Sequence, residues 1–389
     1  MTRQITSRER MLGAMNHEML DHIPLWLNIH VHENEFVRWS DPVERADKLL
    51  DMGLDDTIVV SAPLSIDPRV TTRTWTDRPA DSRYPLIHKE WHTPAGVLTQ
   101  TVQKTDDWYE VWGSQGEDIG ILGDENVPRS LEFPLKSPED LERLAYLFRP
   151  PSAEQLAAFR ERFRRAKALD ARRGILIEGG WLALGDMFLW LLGSERTILI
   201  HQDQPEMAEE LLDRFMQWEQ VRLDILLDAG VDVITYRAWY ESTDFWGVQS
   251  WRRFIKPRLK EIVDRVHQAG AKFSYILTTG LKARANDLAE VGIDTLWGVD
   301  PVQDLTADLP YLKRQIGDSV CLLGGVNSTV TLVNGTEEEI RREVRYACET
   351  LGPGGGFILA PIDNIYDYTP RRNIEALIDE WRKMRAYPT

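Results

Sequence analysis

Seven short stretches of the chain concentrate the polar groups that enzymes use. The first carries His30 and His32, with Glu33 next, in the run LNIHVHENEF. In extended backbone, residues two apart face the same side. Both imidazoles could therefore ligate one metal or meet one substrate; the alternative is two unrelated polar loop residues. The second carries Glu178, followed by Gly179, Gly180 and Trp181. A carboxylate there could be a general base or a metal ligand, and the paired glycines would let a ligand approach the backbone. Locked in an ion pair, it would be structural instead. The third carries Tyr236, Arg237, Trp239, Tyr240 and Glu241. The planar fork of Arg237 suits a carboxylate or phosphate because it donates to two oxygens at once; an ion pair with Glu178 or Glu241 is the bland alternative. The remaining stretches supply Thr278 and Thr279, Asp300 before Pro301, Asn327 with Ser328, and Asp363 with Asn364. Asp363 is the first choice for a residue at the chemistry, its alternative being a loop-capping aspartate.

The chain holds 14 tryptophans. Trp26, Trp181, Trp239, Trp246 and Trp297 fall at or near these stretches. Aromatic walls would suit a flat apolar or methoxylated ring, or a cationic methylammonium group. Taken singly, each is better explained by core filling; their clustering at one set of strand exits keeps the pocket reading. With Trp181, Tyr236, Trp239, Trp246, Trp297, Thr278, Asn327 and Asn364 as the lining, Asp363, Glu178, Arg237 and Asp300 are the candidate reactive groups. His88, His92, His201 and His267 read as surface or packing residues.

Positioning these groups requires elements that end together. Eight short, mostly β-branched apolar runs alternate with long amphipathic stretches: Ile23–Ile29, Asp56–Val60, Ile175–Glu178, Val231–Tyr236, Lys272–Ile276, Thr295–Val299, Val320–Leu323 and Phe357–Ala360. That alternation predicts βαβ units and a parallel sheet, and eight such strands predict a closed (β/α)8 barrel with its site at the C-terminal strand ends. Apolar residues at three and four spacing predict helices over Glu154–Leu169, Pro205–Ala229, Gln249–Ala269 and Glu337–Leu351. Thr336 before three glutamates predicts a capping box, and Gly270 and Gly352 stand where helices end. Between the second and third runs the connection is far too long for a plain loop. Alternating stretches near Leu86–Trp91, Val97–Lys104 and Trp108–Trp112 predict an inserted antiparallel sheet, residues 62–150, covering the barrel mouth. The whole chain, 1–389, reads as one barrel domain.

Composition excludes some classes. The formal net charge is -16 over 389 residues, which offers no general attraction to nucleic acid or anionic membranes. Cys321 and Cys348 are the two cysteines, too few for a disulfide framework or a thiolate zinc site. No run is long enough to span a bilayer. The opening MTRQITSRERMLGAM lacks a signal peptide's apolar core, so the expected compartment is the cytoplasm.

Several stretches resemble the uroporphyrinogen decarboxylase superfamily: SRERMLGAMNHEMLDHIPLW, WHTPAGVLTQTV, PLKSPEDLERLAYL, FIKPRLKEIVDRVHQAGAKF and GPGGGFILAPIDNIYDYTPRRNIEAL. The last, with Pro370 and Asn373, is the most specific. The resemblance runs from about Ser7 to Trp381. It implies a (β/α)8 barrel, and one of three activities: porphyrinogen decarboxylation, zinc-dependent methyl transfer involving corrinoid proteins, or O-demethylation. It also implies a homodimer. Two departures narrow this. Decarboxylases of the family carry an arginine-rich RQAGR stretch after the first strand, where this chain reads LNIHVHENEF. The zinc methyltransferases carry His-x-Cys after strand five and Cys after strand eight, where this chain reads YILTTG and PIDNIY. The expectation is a one-carbon transfer from a small methylated or methoxylated substrate, with a corrinoid protein as partner. Any divalent metal, zinc included, would sit on nitrogen and oxygen ligands drawn from His30, His32 and Glu178. The alternatives are a decarboxylase that anchors its substrate on Arg237, and a non-catalytic ligand-binding barrel.

Overall fold

Runs such as Thr295–Val299 are too short for helices and rich in residues that favour extended backbone, so they fold as strands. The computed structural model describes residues 5–29, 36, 39, 41–108 and 119–387. Its strands are β1 (Thr57–Ser61), β2 (Thr71–Asp77), β3 (Leu86–Thr93), β4 (Gly96–Gln103), β5 (Ser130–Glu132), β6 (Leu176–Ala183), β7 (Val233–Arg237), β8 (Lys272–Ile276), β9 (Thr295–Val299), β10 (Cys321–Asn327) and β11 (Phe357–Ile362). Its α-helices are α1 (Ser7–Met15), α2 (Pro42–Asp51), α3 (Glu139–Leu144), α4 (Ala153–Arg173), α5 (Gly185–Asp203), α6 (Pro205–Ala229), α7 (Val248–Phe254), α8 (Lys256–Gln268), α9 (Leu281–Val291), α10 (Leu309–Ile316), α11 (Glu337–Leu351) and α12 (Arg371–Met384).

The chain divides into two units, the first of residues 1–62, 157–182 and 224–389. This unit holds a seven-stranded sheet in the order β1-β6-β7-β8-β9-β10-β11, parallel at β1–β6, β7–β8, β8–β9, β9–β10 and β10–β11. The Ile23–Ile29 run, predicted as a full strand, instead makes two isolated bridges, Leu25 to Leu359 on β11 and Trp26 to Asp55 just before β1. Its backbone bonds to both places: Trp26 donates to the Leu359 carbonyl and Asp55 donates to the Leu25 carbonyl, each at 3.0 Å. The sheet curls, and the fold is α/β and TIM-barrel-like.

Helix α1 is fixed by a capping box, in which the Thr6 side chain accepts from the Glu9 N–H and the Glu9 side chain accepts from the Thr6 N–H. Its Met11, Ala14 and Met15 pack against Leu176, Val233 and Cys321, residues that open their strands. This helix therefore plugs the N-terminal end of the sheet's interior. Helix α11 has the predicted capping box at Thr336 and Glu339. The predicted Gln249–Ala269 helix is two, α7 and α8, because Pro257 in the first turn of α8 cannot donate to the preceding turn. Gly270 takes φ 79 after α8, as expected of a helix-ending glycine. Gly352 stays right-handed; the left-handed turn falls on Gly354, Gly355 and Gly356.

The second unit comprises residues 63–156 and 183–223. It contains a four-stranded antiparallel sheet, β2-β3-β4-β5. Ile87, Val102, Trp108 and Ile119 form its core. Strand β2 was not foreseen, since its residues are mostly exposed and polar and carry no apolar signal. Trp108 is buried, whereas residues 109–112 of the alternating stretch predicted there lie outside the described residues.

Candidate active site

Strand alternation decides which side chains share the interior of the curled sheet. On β7, Val233 packs in the interior cluster. Thr235 donates to Glu178 at 2.5 Å. Arg237 is two residues further on and faces the same way. The parallel register then runs Arg237 opposite Ile276 and Ile276 opposite Trp297. Ile276 and Trp297 both belong to the interior cluster, so these three lie in one layer at the strand ends.

Aromatic rings extend that layer. Trp297 meets Trp26 edge-on, with ring centroids 4.8 Å apart. It also meets Trp181 at 5.5 Å, and Trp181 meets Trp239 at 5.9 Å. The Arg237 guanidinium carbon lies 4.3 Å from the centre of the Trp239 ring, a cation–π contact. Trp26 and Trp297 are buried, while Trp181, Trp239 and Arg237 are half-buried. Four of the predicted residues, Trp181, Arg237, Trp239 and Trp297, thus converge, and Trp26 joins them.

Glu178 lies deeper. It stands two residues above Leu176, among Thr57, Thr235 and Ser274, with Met11 and Met15 of the plugging helix as neighbours. Thr235 and Thr57 donate to its two oxygens at 2.5 and 3.2 Å. Burial, reinforced by nearby Asp56, pushes its carboxyl above the usual range. The space left around it is about 10 Å³, the lower limit for a single water. This is a chemically poor metal ligand, a group tending to keep its proton with both oxygens engaged. His30 and His32, its predicted co-ligands, lie outside the described residues. Among the described residues no three His, Cys, Asp or Glu side chains group as a metal would need. The described donors therefore do not fit a zinc ion.

Asp300 and Asn327 are brought together, but as supports. Asp300 accepts from the backbone N–H groups of Val302 and Gln303 at 2.7 and 2.9 Å, and from the Asn327 amide at 2.7 Å. Asn327 in turn caps the turn Ser328–Val333 by accepting from Val330 at 2.6 Å. Burial pushes the Asp300 carboxyl up. Sequence reasoning missed Glu343 on α11, which accepts from the Asn327 N–H at 3.1 Å and the Thr331 hydroxyl at 3.1 Å. Burial pushes it up to about 7. An acid on a helix sixteen residues from its partner carries no local sequence signal.

Asp363 follows β11 and is half-buried, with the Tyr366 hydroxyl 3.5 Å from its Oδ2. Asn28, at φ 50, donates its amide to the Asp363 carbonyl and, at 3.2 Å, to the Asn364 side chain. These bonds tie the exit of β11 to the bridging segment. Thr278 is buried past the end of β8, and Thr279 donates to Asp244 at 3.2 Å.

Tyr236 and Trp246 do not line this interior. Tyr236 alternates to the opposite face of β7, is fully buried, and donates to Glu241 at 2.5 Å. Its ring stacks on Tyr275 at 5.5 Å, and Tyr275 also donates to Glu241, at 2.6 Å. The buried Arg284 donates to the carbonyls of Trp246 and Glu241. Trp246 is likewise fully buried. Both belong to a scaffold between sheet and helices.

The uroporphyrinogen decarboxylase (URO-D) family profile matches residues 118–384; the chain belongs to that family. A methylcobamide:CoM methyltransferase, MtaA, of Methanosarcina barkeri is 28% identical over 173 residues, 44% of this chain and 48% of the relative. The match thus spans about half the length of that relative. A uroporphyrinogen decarboxylase of Coxiella burnetii is 25% identical over 278 residues, 68% of this chain and 72% of the relative. A solved methyltransferase from Methanosarcina mazei superposes with a TM-score of 0.57 at 18% identity, covering 98% of this chain and 99% of that one; it supports the fold. Among the described residues no helix is long and apolar enough to cross a membrane.

Proposed function

We propose that this URO-D family protein is an enzyme that moves a one-carbon group from a small methylated or methoxylated substrate to a corrinoid protein. The observation that carries the reading is the wall of Trp181, Trp239 and Trp297 at the strand ends. Such a wall binds a flat methylated group and excludes water from it. The name of the M. barkeri relative, a methylcobamide:CoM methyltransferase, supports methyl transfer and a corrinoid partner. A reduced corrinoid supplies the nucleophile that takes the methyl group. The chain's own residues hold the substrate and manage a proton. The tryptophans fix the ring, and Asp363, beside the Tyr366 hydroxyl, delivers a proton to the oxygen released when the methyl–oxygen bond breaks. General acid help of this kind contributes about 10²- to 10⁴-fold.

The test incubates the protein with methoxylated aromatic compounds and reduced cobalamin, following methylcobalamin by its absorbance. Methylcobalamin should form, and Asp363→Asn should slow it by about 10²-fold or more. Absence of methylcobalamin, with carbon dioxide released from a carboxylated substrate instead, would sink this reading in favour of the decarboxylase one. The C. burnetii relative and Arg237 at the strand ends support that second reading.

A further inference from the structure

We infer that Asn28 is a positioning residue for Asp363, its side-chain amide fixing the main chain at the exit of β11 so that the carboxyl meets the oxygen it protonates. The inference rests on the reading of Asp363 as proton donor and adds the group that sets its place. The segment before Asn28 runs beside β11 as a parallel strand would. Leu359 donates to the Pro24 carbonyl and Trp26 donates to the Leu359 carbonyl, each at 3.0 Å. The next bond of that ladder needs an N–H at residue 361, and Pro361 has none. Asn28 supplies the substitute. Its Nδ2 donates to the Asp363 carbonyl and, at 3.2 Å, to the Asn364 Oδ1. Its own carbonyl accepts from the Ile365 N–H at 3.3 Å. One residue thus holds Asp363, Asn364 and Ile365 where the backbone ladder has stopped.

Two features show that Asn28 is placed for its donors. Its φ of 50 is left-handed, a region that Gly, Asn and Asp enter most readily. Of these three, only Asn brings amide N–H groups. A carbonyl can only accept, so the amide nitrogen faces Asp363 and Oδ1 is turned away. Asn28 is 1% exposed, and that oxygen finds no partner among the described residues. An unpaired buried acceptor is unfavourable. Backbone and side chain are both held in costly states, which persist where a site needs a fixed geometry. The same segment carries Trp26, two residues earlier, into the aromatic layer. In the reaction, the electron pair of the breaking methyl–oxygen bond stays on the oxygen, which takes the Asp363 proton. The electron pair of the reduced corrinoid forms the new bond to the methyl group, and water then reprotonates the carboxylate. Proton transfer needs hydrogen-bond reach, and a shift of about 1 Å costs up to about 10²-fold.

The experiment follows methylcobalamin formation from two methoxyarenes with the full chain and reduced cobalamin. 4-Methoxytoluene releases a poor leaving group that needs the acid; 4-nitroanisole releases a phenolate that leaves without one. Asn28→Gly keeps the left-handed backbone and removes only the amide. It should slow the first substrate by about 10- to 100-fold and the second hardly at all, as Asp363→Asn should also do. Asn28→Asp, which keeps the shape and lacks the N–H groups, should behave as Asn28→Gly. A merely structural role would slow both substrates alike. Amide exchange needs no variant: in the wild-type chain the Ile365 N–H should exchange slowly, and in Asn28→Gly faster. Equal slowing of both substrates, no slowing, or fast Ile365 exchange in the wild type would overturn the inference. Selective slowing by Asp363→Asn without any by Asn28→Gly removes the positioning role and keeps the acid. No methylcobalamin from the wild type removes the methyl-transfer reading alone. Carbon dioxide release then becomes the readout, in which Asp363→Asn and Asn28→Gly should lose rate together. No product of either kind would overturn both.

Discussion

The two faces of β7 make different uses of neighbouring residues. One face carries Val233, Thr235 and Arg237 into the interior, where Arg237 rests on Trp239. The other carries Tyr236 into a buried layer where Tyr236, Tyr275 and Trp251 all donate to Glu241, at 2.5, 2.6 and 3.3 Å. The first face is half-open, with Arg237 and Trp239 both half-buried. The second is closed, with Tyr236, Trp246, Glu241 and Arg284 all at 0% exposure. A strand of five residues thus separates the candidate site from the scaffold by parity alone, and the scaffold holds the loop on which Trp239 stands.

The contrast breaks most visibly at Glu241. Glu241→Ala strips three buried donors of their shared acceptor, and a broken buried network of this kind costs about 3–5 kcal/mol. Chemical unfolding should show the midpoint fall accordingly. A loss below about 1 kcal/mol would mean that the cluster does not hold the loop. Tyr236→Phe is a gentler probe of the same face. It removes one hydroxyl and keeps the ring stacked on Tyr275, so the loss should be about 1–2 kcal/mol, with methylcobalamin formation little changed. Arg237→Gln, one residue along, should invert that pattern. Stability should fall by about 0.5–1 kcal/mol, the worth of a cation–π contact, while methylcobalamin formation, which on the proposed reading uses the Trp239 ring that Arg237 rests on, falls by more than in Tyr236→Phe. If Tyr236→Phe and Arg237→Gln affected methylcobalamin formation alike, the division by parity would fail.

The sequence made the strands of the parallel sheet largely readable. Lys272–Ile276 and Thr295–Val299 form as read, because buried parallel strands are continuous apolar runs. Glu337–Leu351 also forms as read, since its capping box announces it. The site was legible only as a set of strand exits. Arg237, Trp181, Trp239 and Trp297 converge because exits of parallel strands share one end. Tyr236 departs from the expected lining because parity outranks proximity along the chain: counting from Val233 assigns it to the other face. Trp246 sits ten residues beyond Tyr236 in a loop, where no periodicity applies. Asp300 is expected among the reactive groups and Asn327 in the lining, but their bonding to backbone N–H groups and to each other depends on the turns they cap, which residue type alone does not reveal.

Glu178 sharpens the comparison from the interior face of the sheet, with the smallest effect at low pH. Its folded carboxyl titrates above the ordinary range because burial disfavours the anion. In the unfolded chain the same group titrates normally. Between those two values the folded state holds a proton that the unfolded state has released, so stability falls as pH rises through that window. Glu178→Gln keeps an acceptor for Thr235 and has no proton to lose. Wild type and variant should therefore be equally stable below the ordinary carboxylate range. Above it the variant should gain on the wild type, by up to about 1.4 kcal/mol for each pH unit, until the raised folded value is passed. Urea midpoints measured across pH read this directly. Parallel curves for the two proteins would mean that Glu178 is ionised in the folded state, returning it to the candidates for base or ligand.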